Sequence, residues 1–421
     1  MNKHVWFTLR VSFKQAYTAL VSRKMRTVLT LLGIVIGSAA VVLVMSAGDA
    51  LKAYLVGQLS AFGSDYIHVD IKVPVAKKAS LGNAVSLVSG VSVTTLNDKD
   101  LQAIRRIPNV KDGYVAIMGQ ELVSAGSEIK KITLYGVSEG MLSIERTQLS
   151  EGRFFSAEEN NGLAPVVVLG TKVKEKLFGF SSALNKEIRI RGKTFRVIGL
   201  MSSRGSAGFF DMDSLIYIPV KTLQKTILGI DHVSFLMVTT WDLSRAEDTA
   251  EEIRAILRAR HHITNPDRDD FNVTTAAEAQ RMLSTVVGGI TLLLLALVSI
   301  ALVVGGVGIM NVMYVSVAER TFEIGLRKAV GAHETDILYQ FLIEALALTG
   351  MGGFIGGIVG VVGTYVLGAV AALNGFAWHV SFTWQGFALA LGFSMVVGVV
   401  FGIYPARRAG RLQPVDALRN E

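Results

Sequence analysis

His261, His262, Asp269 and Asp270 crowd one short stretch of the chain, and imidazole beside carboxylate is the pairing that metal-assisted or general acid–base hydrolysis uses. Asp211 with Asp213 offers a second carboxylate pair, next to the hydroxyls of Ser202, Ser203 and Ser206. None of these groups has the spacing of a metal site or the context of an activated nucleophile. The histidines follow Arg258 and Arg260, which reads as the basic end of a helix, and Asp269-Asp270 reads as a solvated turn. Gly192-Lys193-Thr194 matches the end of a P-loop, but the leading glycine belongs at position 187, which is Glu187. Catalysis is not expected of this chain, and neither is a cofactor or metal bound by it.

A different kind of chemistry lies in Gly305 to Ala332. Glu319, Arg320, Glu323, Arg327 and Lys328 alternate there with Phe322, Ile324, Leu326 and Val330, with Gly325 and Gly331 between them. Glu323 and Arg327 stand four apart, the orientation that supports a helix. Such a surface suits a partner's groove better than a substrate, and the competing reading is a solvated hairpin.

The elements that carry this segment follow from composition. The chain has 421 residues, 51% of them hydrophobic and 18% charged, too apolar for one soluble core. Four runs without Lys or Arg reach the roughly 20 residues that about 30 Å of hydrocarbon requires: Val28 to Ala47, Val286 to Val315, Phe341 to Leu373 and Phe382 to Ile403. Basic residues gather before the first run (Lys3, Arg10, Lys14, Arg23, Lys24, Arg26) and after the last (Arg407, Arg408, Arg411, Arg419), so both termini are expected in the cytoplasm. The net charge of +8 is then explained by lipid headgroups, with no nucleic acid partner. With no cysteine, disulfides, thiolate metal sites and thiol redox chemistry are excluded.

The expected fold class is an α-helical membrane protein with four transmembrane helices and a large α+β extracytoplasmic domain between the first and second spans. Residues 1–26 are expected to form an amphipathic interfacial helix (Trp6, Leu9, Phe13, Tyr17, Leu20), and 27–47 the first span, too long for a signal peptide and retained as an anchor. The external domain takes 48–285, the second span 286–315, a cytoplasmic loop 316–336, the third span 337–373, a short external loop 374–381, the fourth span 382–404 and a cytoplasmic tail 405–421.

Within the external domain, alternation predicts strands at Tyr66 to Ile71, Gly113 to Met118, Ile129 to Val137, Val166 to Leu169, Glu187 to Ile190, Thr194 to Ile198, Leu215 to Ile218 and Val233 to Thr239. Arg191-Gly192-Lys193 should close a hairpin, and Pro74 to Gly90 reads as a loop. Helices are predicted at Leu96 to Ile107, Thr171 to Phe178, Val220 to Leu228 and Leu243 to Arg260. Phe271 to Leu283 leads into the second run and is expected to continue it as one helix. Gly33 and Gly37, and Gly352, Gly356 and Gly360, repeat the GxxxG spacing that lets helix backbones approach in lipid, which predicts a tight bundle and a dimer. The spans hold few polar groups, Glu344 and Asn311 being the exceptions, and Glu344 is read as structural.

The segments GGVGIMNVM and AERTFEIGLRKAVGA resemble the core of MacB/FtsX-type ABC transporter permeases. EGRFF, APVVVLG, IRIRGKTFRVIGL and the tail YPARRAGRLQPVDALR are similar to the same family, so the likeness covers nearly the whole chain. The resemblance implies a homodimer in the bacterial inner membrane, working with a dimer of cytoplasmic ABC ATPase subunits that consume ATP and Mg. It also implies a coupling helix within Glu319 to Ala332, a two-lobed external domain whose inserted lobe spans about 113–220, and movement without a path through the bilayer (mechanotransmission). A periplasmic adaptor and an outer-membrane channel are further partners it brings, and macrolides, peptides, lipoproteins or other amphiphiles its cargoes. MacB carries an ATPase domain before its first span, so here the ATPase is expected as a separate chain. FtsX-like signalling to cell-envelope enzymes is the alternative to export.

Overall fold

The computed structural model describes residues 24–60, 63, 65–72, 94–207, 210–373 and 382–419. The expected interfacial helix before residue 24, the loop Pro74 to Gly90 and the short external loop 374–381 lie outside them. The chain divides into two compact units, Leu55–Leu283 and the remainder.

Among the described residues the first of these has twelve strands: β1 (Tyr66–Ile71), β2 (Val110–Ala125), β3 (Glu128–Val137), β4 (Leu149–Gly152), β5 (Val166–Leu169), β6 (Glu187–Ile190), β7 (Lys193–Met201), β8 (Ser206–Ala207), β9 (Phe210–Asp211), β10 (Leu215–Pro219), β11 (Phe235–Thr240) and β12 (Phe271–Thr275). Ten of them form one mixed sheet in the order β12-β1-β11-β2-β3-β10-β5-β7-β4, and β6 pairs with both β2 and β7. That double pairing closes β2, β3, β10, β5, β7 and β6 into a ring. Two apolar clusters fill the domain, one around Ile117, Leu134, Phe195 and Ile216, the other around Tyr114, Tyr135 and Tyr217.

Local chemistry accounts for several element ends. Asn97 caps helix Asp98–Ile104 by accepting from the Lys99 amide, while Asp100 accepts from the Asn97 amide in return. Ile190 pairs with Lys193, leaving Arg191 and Gly192 as a two-residue turn, both at positive φ (48° and 77°). That is the type I′ geometry whose twist matches the strands, and it favours glycine at its second position.

Phe271–Thr275 corrects the helical expectation for that segment: it is a strand paired with β1, and the second apolar helix starts at Ala276. Phe271, Val273 and Thr275 are buried in strict alternation, a period-2 pattern that no helix would bury.

Among the described residues four helices, lying wholly or mainly in the other unit, are long and apolar enough to cross a membrane: Lys24–Ser60 (through Leu31–Gln58), Ala276–Glu319, Glu334–Leu373 and Trp384–Gly410. At 44 and 40 residues the second and third would measure about 66 and 60 Å as straight helices. The first continues past Ala47 to Ser60, because Asp49, Ala50, Leu51 and Lys52 end the apolar run without breaking the helix. Two short helices, Thr321–Ala329 and Pro414–Arg419, accompany them among the described residues.

Candidate functional site

Helix Thr321–Ala329 is separated from the second apolar helix by Arg320 alone. The Arg320 guanidinium donates to Glu323 at 2.9 Å and to the buried carboxylate of Glu344 at 3.3 Å, and lies 5.8 Å from the Phe341 ring centre. Glu323 also accepts from Arg327 at 2.6 Å, and Arg327 donates to Gln340. Gln340, Phe341 and Glu344 share one face of the third apolar helix, so the charged side of the short helix is bound to that helix. Exposed ion pairs contribute little, but loss of Arg320 would leave the Glu344 charge buried without compensation, a cost of about 3–5 kcal/mol.

The opposite side faces the C-terminal segment. Ile324 is buried, and a Cβ added at Gly325 would stand 2.5 Å from the Ala417 Cβ. The Lys328 ammonium, on a side chain only 11% exposed, donates to the Gly410 and Leu412 carbonyls at 2.7 and 2.9 Å. Of the ten residues expected at the coupling segment, Ile324, Gly325 and Lys328 therefore turn inward. Phe322, Leu326 and Val330 stay 55%, 51% and 84% exposed at four-residue intervals, an apolar stripe along the helix. Gly331 ends it at φ +108°, a conformation that side chains resist. Glu319 closes the preceding helix.

The GxxxG glycines sit at contacts between helices of this same chain. A Cβ at Gly33 would approach the Gly305 Cα to 2.9 Å, and one at Gly37 the Leu302 side chain to 2.6 Å. On the third helix, Cβ atoms at Gly352, Gly356 and Gly360 would meet Ile34 at 3.0 Å, the Val35 carbonyl at 2.5 Å and the Ala39 carbonyl at 2.7 Å. Backbone contact this close is what the small residues permit.

Residues 27–256 match the MacB-like periplasmic core domain, and residues 288–414 the FtsX-like permease C-terminal domain. The chain belongs to the MacB/FtsX-type permeases. It is 38% identical over 97% of its length to a macrolide export ATP-binding/permease protein MacB of Chlorobaculum tepidum, covering 61% of that protein. With a pyoverdine export ATP-binding/permease protein PvdT of Pseudomonas entomophila it shares 33% identity over 97% of this chain and 61% of the relative. The chain thus spans about three-fifths of the length of such curated relatives. The periplasmic region of MacB from Actinobacillus actinomycetemcomitans aligns with 53% of this chain and 95% of its own at 18% identity and a TM-score of 0.45.

In this permease most of the polar side chains singled out above in the external domain take part in structural pairs. His261 Nδ1 lies 2.8 Å from Asp270 and its Nε2 3.5 Å from Asp100, while Arg260 donates to Asp100 at 2.6 Å and Arg258 to Asp269 at 2.7 Å. Contact with Asp100 raises the His261 pKa, burial opposes it, and Asp270 adds to the rise. Burial pushes Asp100 upward, but the nearby His261 and the bonds from Arg260 and the Asn97 amide outweigh that and hold it below the ordinary carboxylate range. His262 lies in the following turn at φ 56°. Asp213 accepts from Ser203 Oγ at 2.8 Å and from the Arg204 and Gly205 amides, and Asp211 pairs with Lys172 at 2.8 Å. Ser202 donates its amide to the Gln148 carbonyl, and Ser206 pairs with Asp211 between β8 and β9. Among the described residues, no group of three or more His, Asp or Glu is placed to hold a metal ion.

A pair that sequence reasoning missed is Glu145 with Arg204. The Glu145 carboxylate is buried, takes Arg204 Nη1 at 2.5 Å, and accepts from the Tyr114 and Tyr135 hydroxyls. Burial first, then the Glu145 charge, pushes both tyrosines well above the usual phenol range. The two partners stand 59 residues apart, and no local pattern announces the pair.

Proposed function

We propose that this chain is the permease of an ABC transporter, driven by an ABC ATPase dimer that docks from the cytoplasm on Phe322, Leu326 and Val330. The observation that carries the reading is the construction of that helix: an apolar stripe left open on one side, with charged and small residues binding it to the membrane helices on the others. ATP is hydrolysed in the partner, and displacement of the coupling helix passes into the spans and so to the external domain. The cargo is an amphiphile, peptide or lipoprotein taken up outside the membrane; relatives are named for export of macrolides and of pyoverdine.

In this reading both termini and the coupling helix face the cytoplasm, and the permease is a homodimer in the inner membrane. Support for the dimer comes from the second apolar helix. Val286, Ile290, Leu293, Leu297, Ile300, Val304 and Val307 are all exposed at alternating four- and three-residue steps, and the next step reaches exposed Asn311. A lone amide on an apolar seam needs a partner in lipid, and a second copy supplies one.

The test is the variant Phe322→Ser/Leu326→Ser in the full chain, reconstituted with the ABC ATPase that co-purifies from the native membrane. ATPase binding is expected to weaken about tenfold or more with membrane insertion unchanged. Unaltered binding and unaltered ATP turnover would remove the docking assignment.

A further inference from the structure

The coupling helix is joined by the chain to the second and third apolar helices, whereas the fourth has no covalent link to it. The structure nevertheless ties the two. Lys328 reaches from the short helix Thr321–Ala329 to the end of helix Trp384–Gly410, donating to Gly410 O, its last carbonyl, and to Leu412 O two residues beyond it, and its ammonium also lies 3.6 Å from the exposed Glu334 carboxylate at the start of the third helix. Carbonyls in the last turn of a helix, such as Gly410 O, lack intrahelical donors and carry the negative end of its dipole, so a largely buried ammonium there is matched in both charge and hydrogen bonding. Two close approaches brace the contact. Gly325 admits Ala417 of helix Pro414–Arg419, and a Cβ at Gly410 would lie 2.8 Å from the Glu334 carbonyl, where the third helix begins.

We infer that Lys328 and the C-terminal helix make the fourth apolar helix a direct recipient of the coupling helix's displacement, with Lys328 as the positioning residue. The inference rests on the proposed docking of an ATPase to this helix. An input on Phe322, Leu326 and Val330 would then divide. Arg320 and Arg327 would carry it to Glu344 and Gln340 on the third helix, and Lys328, besides its longer ion pair with Glu334, to the end of the fourth. The side chain's burial separates this role from docking, since the ammonium points into the chain and away from the exposed stripe.

The experiment compares wild type, Lys328→Met and Lys328→Arg in full chains reconstituted in nanodiscs with the co-purifying ABC ATPase. Three quantities are read: ATPase binding, the change in ATP turnover that the permease causes, and amide hydrogen exchange across residues 405–419. For Lys328→Met, binding is expected within about twofold of wild type, exchange at 405–419 about tenfold faster, and the permease's effect on turnover about tenfold smaller. Lys328→Arg, which keeps the charge and the donors, should restore much of both. Normal coupling in Lys328→Met overturns the inference even if exchange rises, because the contact would then be structural only. Unchanged exchange overturns it as well. A wild-type chain that has no effect on ATP turnover removes the docking reading and this inference with it, an outcome distinct from the other two.

Discussion

Arg204→Met is the sharpest perturbation of the external domain. In the wild type Glu145 lies fully buried with Arg204 Nη1 at 2.5 Å, and the Tyr114 and Tyr135 hydroxyls complete its hydrogen bonding. Removing the guanidinium leaves a carboxylate buried with two neutral donors, and breaking a buried pair from one side costs about 3–5 kcal/mol. At 1.4 kcal/mol per decade this is a rise of roughly two to three and a half decades in amide exchange from the surrounding strands. The assay is hydrogen exchange on the full chain, read at β2, β3 and β10. Arg204→Met with Glu145→Gln removes both charges while keeping an acceptor for the tyrosines, and should recover most of the loss. A wild-type exchange rate in the single variant, or a double variant as destabilised as the single, would show that the buried charge pair does not hold these strands.

Two further outcomes follow from contacts described above. His261 has a folded pKa raised above its ordinary value, so its contribution is fully present below about pH 6.5 and is lost as pH rises through the raised value. Protection of β12 amides, corrected for intrinsic rates, should therefore fall from pH 6 to pH 9 in wild type, with a flatter profile in His261→Gln; equal slopes would remove the assignment. In the membrane unit, Gly356→Val puts carbon against the Val35 carbonyl at 2.5 Å and should cost about 1–3 kcal/mol, visible as a lower melting temperature in detergent. Gly392→Val, with nothing within 4 Å, is the matched control and should melt like wild type.

Much of the fold can be read from local pattern. Val166–Leu169 is an unbroken apolar run and forms the fully buried β5, and Arg191-Gly192 marks the turn between β6 and β7. The helix predicted at Leu96 to Ile107 is present as Asp98–Ile104, shorter at both ends because Asn97 caps it and the turn to β2 begins at Arg105. β12 escapes such a reading because its five residues adjoin a long helical run, and contiguity hides a change of period. At the coupling segment the residue types are legible, but the direction each side chain takes is not. Lys328 and Arg327 are neighbours of like charge, yet one grips the end of the fourth helix and the other binds Glu323 and Gln340. Only the distant partners decide this, as they do for Glu145 and Arg204.

The junction between β12 and the second apolar helix has no linker: Thr275 closes the strand and Ala276 opens the helix. Strand register fixes Thr275 opposite Ile67, so slack cannot be drawn from the strand side. One residue inserted after Ala276 would turn every later side chain of that helix by about 100° and advance it by about 1.5 Å. Length variation among descendants of this chain should therefore collect in the turns of the sheet and avoid positions 271–319. A single codon gained there would misphase the helix, whereas the same codon in a hairpin would pass unnoticed.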